Sequence, residues 1–425
     1  MSNRCRAALW AAVLAYLTCA VAAEARAEFA VRDGDRFVIY GDSITNNSPY
    51  PRFIENYVLT RFPQWKVSFV NLGWGGDRAA NVGRLERDCL PLKPTLVTIN
   101  LGMNDGGYTT FSPDRCKTYT DGLTRMCELL KGIGARVYLV SPITYETPVR
   151  PTRKAGNVEV DMSVYPETLL RFSWAMRDVA REQGVGYVDL NRAYAATMAA
   201  GYKEIPGFKL SGDAVHPDPN GHLVMALHIL RGLGAPAEVA RLTVSATLGK
   251  VTSAHRTRVW NLRATPRNVS FTRLDEALPF PVDPQASKYV DFIRFHDALN
   301  RNYFAVTGLA PGHYQLLIDG EPIAVLSRDE LAQGVNLSRY ENTPEMKQAH
   351  QVREATNERQ AAHYEKWRKV MLPNVTSPAD FTPYDLSSPR IAELDAKAAA
   401  AIQKQHALNK PVPRRYQIRP APAQP

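Results

Sequence analysis

Between residues 28 and 235, short apolar runs rich in Val, Ile and Leu alternate with amphipathic segments. This alternation limits the folds open to the chain more than any other feature. The runs are Phe37–Tyr40, Val67–Asn71, Leu96–Leu101, Val137–Ser141 and Tyr187–Leu190. The spacing predicts helices near 50–62, 78–88, 114–132, 166–183 and 219–232. Strands this apolar are buried on both faces, and strands separated by helix-length segments pair in parallel. Right-handed crossovers leave few ways to connect them. The expectation is an α/β fold: a three-layer, flavodoxin-like parallel sheet of five strands in the order 2-1-3-4-5.

In such a sheet ligands bind beyond the carboxyl ends of the strands. After the first run stands Gly41-Asp42-Ser43, after the second Gly73-Trp74-Gly75-Gly76-Asp77, after the third Gly102-Met103-Asn104-Asp105-Gly106. Asp213-Ala214-Val215-His216-Pro217 precedes the last helix. Taken singly, each has a plain reading: Ser43 as turn or cap, Asn104 in a turn, the glycines as a mobile loop or phosphate cradle. Together, on one sheet edge, they divide the work of acyl transfer. A serine hydroxyl needs a base, and histidine is the usual one near neutral pH. The histidine needs an acceptor on its other nitrogen, and Asp213 is three residues from His216. An oxyanion needs donors: the Ser43 N–H, a loop-glycine N–H and the Asn104 amide are at hand.

These residues resemble the blocks of the SGNH hydrolases, a branch of the GDSL esterase and lipase superfamily. Gly41-Asp42-Ser43-Ile44 resembles the first block, with Ile where Leu is usual. Gly76 matches the oxyanion glycine of the second, Asn104 the oxyanion asparagine of the third, and Asp213 with His216 the fifth. The resemblance covers about half the chain, to about residue 235. It implies the SGNH hydrolase fold and a Ser43, His216, Asp213 triad with no cofactor and no metal. Substrate is left open, since the superfamily acts on lipids, thioesters and acetylated sugars.

Other ionisable residues read as structural. His222 and His228 fall in the last helical pattern, far from Asp213. Asp42 and Asp105 read as holding loop amides rather than as a carboxylate pair for glycoside hydrolysis. Trp74, Tyr108 and Tyr145 each follow a strand, and flat aromatic faces suit sugar rings. The loops carry no continuous apolar run for a long acyl chain. The expected function is therefore an exported serine esterase taking small, acetyl-sized esters on carbohydrate, an acetylated polysaccharide among them. A lipase or acyltransferase of the same fold, and a non-catalytic glycan-binding protein, are the alternatives.

Arg4 and Arg6, the apolar stretch from Ala7 to Ala23 and Ala25-Arg26-Ala27 read as a signal peptide over residues 1–27. This predicts a periplasmic or secreted protein without a stable membrane span. Removing Arg4, Arg6, Arg26 and Glu24 lowers the formal net charge from +10 to +8. The excess is spread, with no Lys/Arg block, so nucleic-acid binding is not expected. Cys89, Cys116 and Cys127 remain, with no metal-ligand spacing; one disulfide and a free thiol, or three inert thiols, are open.

Beyond residue 235 the pattern changes. An accessory region over 236–340 shows a strand-like Val269-Ser270-Phe271, a helical stretch near 284–295 and then three antiparallel strands, Tyr303–Leu309, His313–Asp319 and Pro322–Leu326, with Asp319-Gly320 at a turn. Residues 341–425 predict a long helix from Thr343 to Met371, a second over Ile391–Leu408, and a Pro/Arg tail from Pro411 read as a strap or as disorder.

Overall fold

The protein is described from a computed structural model covering residues 28–422, so the predicted signal peptide lies outside the described residues. The first half is built on β1 (Arg36–Gly41), β2 (Ser68–Gly73), β3 (Leu96–Asn100) and β4 (Arg136–Val140). After a hairpin of β5 (Thr152–Ala155) and β6 (Val158–Asp161) comes β7 (Gly186–Val188). Its sheet runs β2-β1-β3-β4-β7, every pair parallel, which is the order expected.

The reason lies in the two faces of each strand. Phe37 and Ile39 of β1 enter one core, beneath α1 (Pro49–Arg61). Val38 and Tyr40 enter the other. Short α2 (Val82–Asp88) and long α3 (Pro113–Gly132) lie on that second side, where Leu123, Met126 and Leu130 pack. Each such side chain stabilises the fold by roughly 1.5–3 kcal/mol when fully buried. α4 (Tyr165–Gln183), α5 (Leu190–Glu204) and α6 (Pro219–Gly232) complete the layers. Asp218 caps α6 by accepting the Gly221 N–H at 2.9 Å, with Pro219 in the first turn. That cap fixes the end of the loop carrying Asp213 and His216. The hairpin β5–β6 and α5 are not expected from the sequence.

The second half is larger than the three-stranded sheet expected. Its strands are β8 (Glu238–Ser245), β9 (Lys250–His255), β10 (Thr257–Ala264), β11 (Val269–Asp275), β12 (Arg301–Thr307), β13 (His313–Ile318), β14 (Glu321–Ser327), β15 (Val335–Asn336) and β16 (Arg414–Pro420). They form two sheets, β15-β12-β8-β9 and β10-β11-β16-β13-β14. Leu242, Val244, Phe271, Phe304, Leu316 and Tyr416 fill the space between them. β8 pairs in parallel with β12 across a long insertion, a pairing that no local pattern announces. The stretch near 284–295 is not a helix; a single 3₁₀ turn spans Pro284–Ala286, and helix forms only at Phe295–Leu299.

Helix α7 (Pro344–Tyr364) runs on as a π-helical turn over Glu365–Val370, and α8 (Arg390–Leu408) packs against it. Both clamp the first half. Arg359 pairs with Glu55 of α1 at 2.5 Å, both buried, and Gln360 and Gln405 donate to the same carboxylate. The expected strap or disordered tail is corrected: residues 414–420 are a central strand, hydrogen-bonded to β11 and β13. Cys89, Cys116 and Cys127 are all free thiols; Cys89 and Cys127 are buried, and burial pushes both up to about 12.

Candidate active site

Four loops meet at the carboxyl edge of the parallel sheet. The first leaves β1 at Gly41, where a Cβ would stand 2.1 Å from Thr45 Oγ1 and 2.7 Å from the Asn100 carbonyl oxygen. Only glycine fits there. Asp42 then closes the turn by accepting the Ile44 N–H at 2.9 Å, and its carbonyl accepts from Thr45 and Asn46. Ser43 is left half-buried at the tip.

The second loop leaves β2 against the first. Asn71 donates to the Thr45 carbonyl at 2.8 Å and accepts the Gly73 N–H at 2.9 Å. The Trp74 N–H donates to the Gly41 carbonyl at 3.0 Å, and the Asp77 N–H returns to the Trp74 carbonyl. Gly75 and Gly76 are exposed on the bend between them, Gly76 at φ +76°. Buried Arg84 of α2 braces the bend: it pairs with Asp77 at 2.5 Å and donates to the Leu72 and Gly41 carbonyls. Burial alone would lower its pKa, but the Asp77 carboxylate outweighs that and raises it. Arg84 escapes the sequence reading, and Asp77 enters it only as the last residue of the glycine-rich loop; Asp77 lies outside α2, so no helical periodicity joins the two.

The third loop carries Asn104. Its Nδ2 donates to the Asp77 carbonyl at 3.1 Å, and its Oδ1 accepts from the Tyr108 hydroxyl at 3.1 Å. These two bonds fix which way the amide faces and leave one N–H for another acceptor. Asp105 accepts the Ala79 N–H at 2.8 Å, joining the second and third loops. Burial pushes Asp42 up to about 8 and Asp105 up to about 7. Both thus hold loop amides, as expected of them.

The fourth loop, before α6, is closed by the Asp218 N–H on the Leu210 carbonyl at 2.7 Å. Buried Glu146 accepts the Leu210 N–H at 2.9 Å, and Ala214 turns at φ +71°. Asp213 Oδ1 accepts the Val215 and His216 N–H groups, at 3.0 and 2.8 Å. Its Oδ2 lies 2.7 Å from His216 Nδ1, and His216 Nε2 lies 2.8 Å from Ser43 Oγ. Partial burial pushes the Asp213 carboxyl up, but the bonds from His216 and Val215 outweigh it and hold it below the usual range. An ionised Asp213 only accepts, so Nδ1 carries the proton and Nε2 faces the serine hydroxyl as an acceptor. About half of each side chain, His216 and Asp213, is open to solvent.

Ser43, Asn104, Asp213 and His216 thus stand at one edge, with Gly76 on the bend that Asn104 bonds. The aromatic residues do not form the platform expected. Trp74 is 1% exposed, covered by Arg368 at 3.2 Å from its ring centre and by the edge of Trp367. Tyr145 is also 1% exposed, packed on Tyr165 with its hydroxyl on the Arg150 carbonyl. Neither ring presents a face to a substrate. Tyr108 remains, half-buried beside Asn104, between Tyr165 and the Arg153 guanidinium 3.7 Å above its ring. Arg153 comes from the unexpected β5–β6 hairpin, signalled in the sequence by Gly156-Asn157 ahead of the short alternating run Val158-Glu159-Val160-Asp161. His222 stacks on Tyr50 and His228 bonds Thr197; burial lowers them to about 3 and about 4. Among the described residues no group of three His, Cys, Asp or Glu side chains could hold a metal ion.

Comparison with known proteins agrees with this geometry. Residues 39–224 match the GDSL-like Lipase/Acylhydrolase family, and this part of the chain belongs to it. The chain is thus a carboxylic ester hydrolase by class, an esterase on acyl esters. An acetylxylan esterase from Geobacillus stearothermophilus is 23% identical over 226 residues, 48% of this chain and 96% of that protein. A gut microbial diltiazem-metabolizing enzyme superposes with a TM-score of 0.77 at 25% identity, over 92% of this chain and 98% of its own. A mutant of an acetyl-xylooligosaccharide esterase from Geobacillus gives 0.40 at 20% identity, over 48% and 97%.

Proposed function

We propose that the protein is an exported serine esterase that removes small acyl groups, acetyl above all, from alcohol oxygens of carbohydrate. The observation that carries the reading is the unbroken relay from Ser43 Oγ through His216 to Asp213, at 2.8 and 2.7 Å. Ser43 Oγ attacks the ester carbonyl while its proton passes to His216 Nε2. The resulting oxyanion accepts from the Ser43 and Gly76 N–H groups and from Asn104 Nδ2. The intermediate collapses, the C–O bond to the alcohol breaks, and His216 returns the proton to the departing oxygen. Water then attacks the Ser43 acyl ester, His216 takes its proton, and the acid leaves as Ser43 is restored.

Acetyl is favoured by the relative named acetylxylan esterase and by loops that offer no long apolar run for a fatty chain. Export is carried by the basic and apolar leader in the sequence, and cell fractionation tests it: a purely cytoplasmic location would refute that part. For substrate, nitrophenyl acetate should be turned over faster than nitrophenyl octanoate, and free acetate should appear from acetylated xylan. A preference for acyl chains of about eight carbons or more would favour a lipase instead.

A further inference from the structure

The outer face of the sheet β10-β11-β16-β13-β14 carries chemistry that neither the esterase reading nor the sandwich core uses. Cross-strand partners point to the same side of a sheet. Trp260 pairs with Thr272, and Thr272 with Arg415, so these three form a row across β10, β11 and β16. Arg263, Ser270 and Gln417 form the next row. Trp260 and Arg263 face the same way despite an odd spacing because the strand bulges between them, with Asn261 at φ +54°. The opposite face of the same strands is spent in the core, through Phe271, Tyr416 and Ile418.

On this face lies a shallow cleft of about 550 Å³, walled by Asn261, Arg263, Ser270, Thr272 and Arg415. Arg263 and Arg415 are exposed, and the two rows hold no carboxylate. Asp319, beyond the end of the Arg415 row, accepts the Arg415 backbone N–H at 2.8 Å and pairs its other oxygen with Arg414. Other arginines of these strands differ: Arg273 is paired with Asp275 and Arg414 with Asp319. Arg419, at the far end of β16, donates to the neutral Gln315. Trp260 is 40% exposed. The chain as a whole is basic, with a formal net charge of +10.

A guanidinium fork matches a carboxylate, a Trp face accepts the C–H side of a sugar ring, and hydroxyls and amides bind sugar hydroxyls. A nucleic acid would instead favour a basic groove with aromatic platforms along its length. Here a single Trp stands at one end and neutral groups alternate with the arginines. We propose that this face binds an acidic polysaccharide, with Arg263 and Arg415 on its carboxylates and Trp260 stacked on one sugar ring.

The test is binding to polygalacturonate, read by affinity electrophoresis on protein carrying Ser43→Ala, so that it does not depend on turnover or on the esterase reading. Arg263→Gln with Arg415→Gln should weaken binding about tenfold, and each alone about threefold. Raising salt from about 50 to about 500 mM should weaken the parent and hardly change the double variant. Trp260→Ala should lose affinity equally at both salts. Melting curves identify any variant that fails to fold; the single variants then decide. Equal binding of neutral xylan, unchanged affinity in folded variants, or displacement by a single-stranded oligonucleotide at lower concentration than by the polysaccharide would each overturn the proposal.

Discussion

The two halves of the chain are held by interactions of very different reach. In the hydrolase half each site turn is closed locally: Asp42 accepts from Ile44, Asn71 from Gly73, Asp213 from Val215 and His216. Bonds such as Arg84 to Gly41 and Glu146 to Leu210 then tie the turns over 43 and 64 positions. In the C-terminal half the decisive contacts are remote. His363 bonds the Asn71 carbonyl, Arg359 binds Glu55, and Asn409 reaches Leu59, at separations of 292, 304 and 350 positions. Catalytic geometry needs tight local turns, whereas closing the chain on itself needs few but distant contacts formed against loop entropy. Helices α7 and α8 grip the hydrolase half while β16 locks into the sandwich, so the end of the chain acts as a clasp across both.

The largest effect expected is at the local end of this contrast. Ser43→Ala should lower kcat on nitrophenyl acetate on the order of 10⁴–10⁶-fold, as loss of a triad nucleophile does. Its melting curve should match the parent, since only one oxygen is removed. Activity within tenfold of the parent would point to another nucleophile.

The next effect is on stability against pH, again from locally built groups. Burial raises Asp42 to about 8 and Asp105 to about 7, from an ordinary value of 3.8. The folded protein therefore keeps these protons to higher pH than the unfolded chain does. Below about pH 4 both states hold them and the groups contribute no slope; from there to about pH 8 the unfolded state binds fewer protons, so stability falls. Buried His222 and His228 act in the opposite direction as pH falls, so the informative quantity is the difference between parent and Asp42→Asn. That variant keeps an acceptor for Ile44 and should flatten the decline between pH 5 and pH 8. Superimposable curves of melting temperature against pH would rule the effect out.

At the remote end, Arg359→Met should destabilise the protein by about 3–5 kcal/mol, because Glu55 stays buried without its cation. Gln360 and Gln405 still donate to that carboxylate, which favours the lower part of the range. Chemical denaturation measures it; a shift under about 1 kcal/mol would mean the clasp does not depend on this pair. Close behind comes Asn104→Ala, expected to cost about 10²–10³ in kcat, as removal of one oxyanion donor does. A change confined to KM would contradict that role.

The same contrast governs how much of the molecule is legible in its amino-acid sequence. Gly41-Asp42-Ser43 and Asp213-Ala214-Val215-His216 are legible because each motif closes its own turn within a few positions, although Ser43 and His216 meet across 173. The sheet order follows from apolar runs buried on both faces. The strand at Arg414–Pro420 is not legible: Pro411 and Pro413 beside it suggest a tail, and its partners β11 and β13 lie roughly a hundred residues or more away. For Trp74 and Tyr145 the sequence indicates the right edge of the sheet but suggests open faces. What covers Trp74 comes from the C-terminal segment, and what covers Tyr145 comes from Tyr165 beyond the hairpin. Periodicity carries no information about such a cover.

The smallest effect concerns the point where the two halves meet, and it asks whether the clasp only stabilises or also shapes the site. Arg368 lies 3.2 Å from the ring centre of Trp74, and Trp367 packs edge-on against the same ring. The Trp74 backbone donates to the Gly41 carbonyl and accepts from Asp77, so Gly76 sits on a bend whose first residue is held from outside the hydrolase half. Arg368→Ala removes that hold without touching the triad. A cation over an aromatic face is worth about 0.5–2 kcal/mol, which corresponds to roughly two- to thirtyfold if it acts on kcat. The expected outcome is a fall in kcat within that range, with KM little changed, because an N–H aimed at the oxyanion matters in the transition state rather than in binding. Arg368→Lys keeps the charge but not the flat guanidinium, so it should restore only part of the rate. A lowered melting temperature with kcat unchanged would show instead that the clasp holds the fold and leaves the oxyanion loop to its own local bonds.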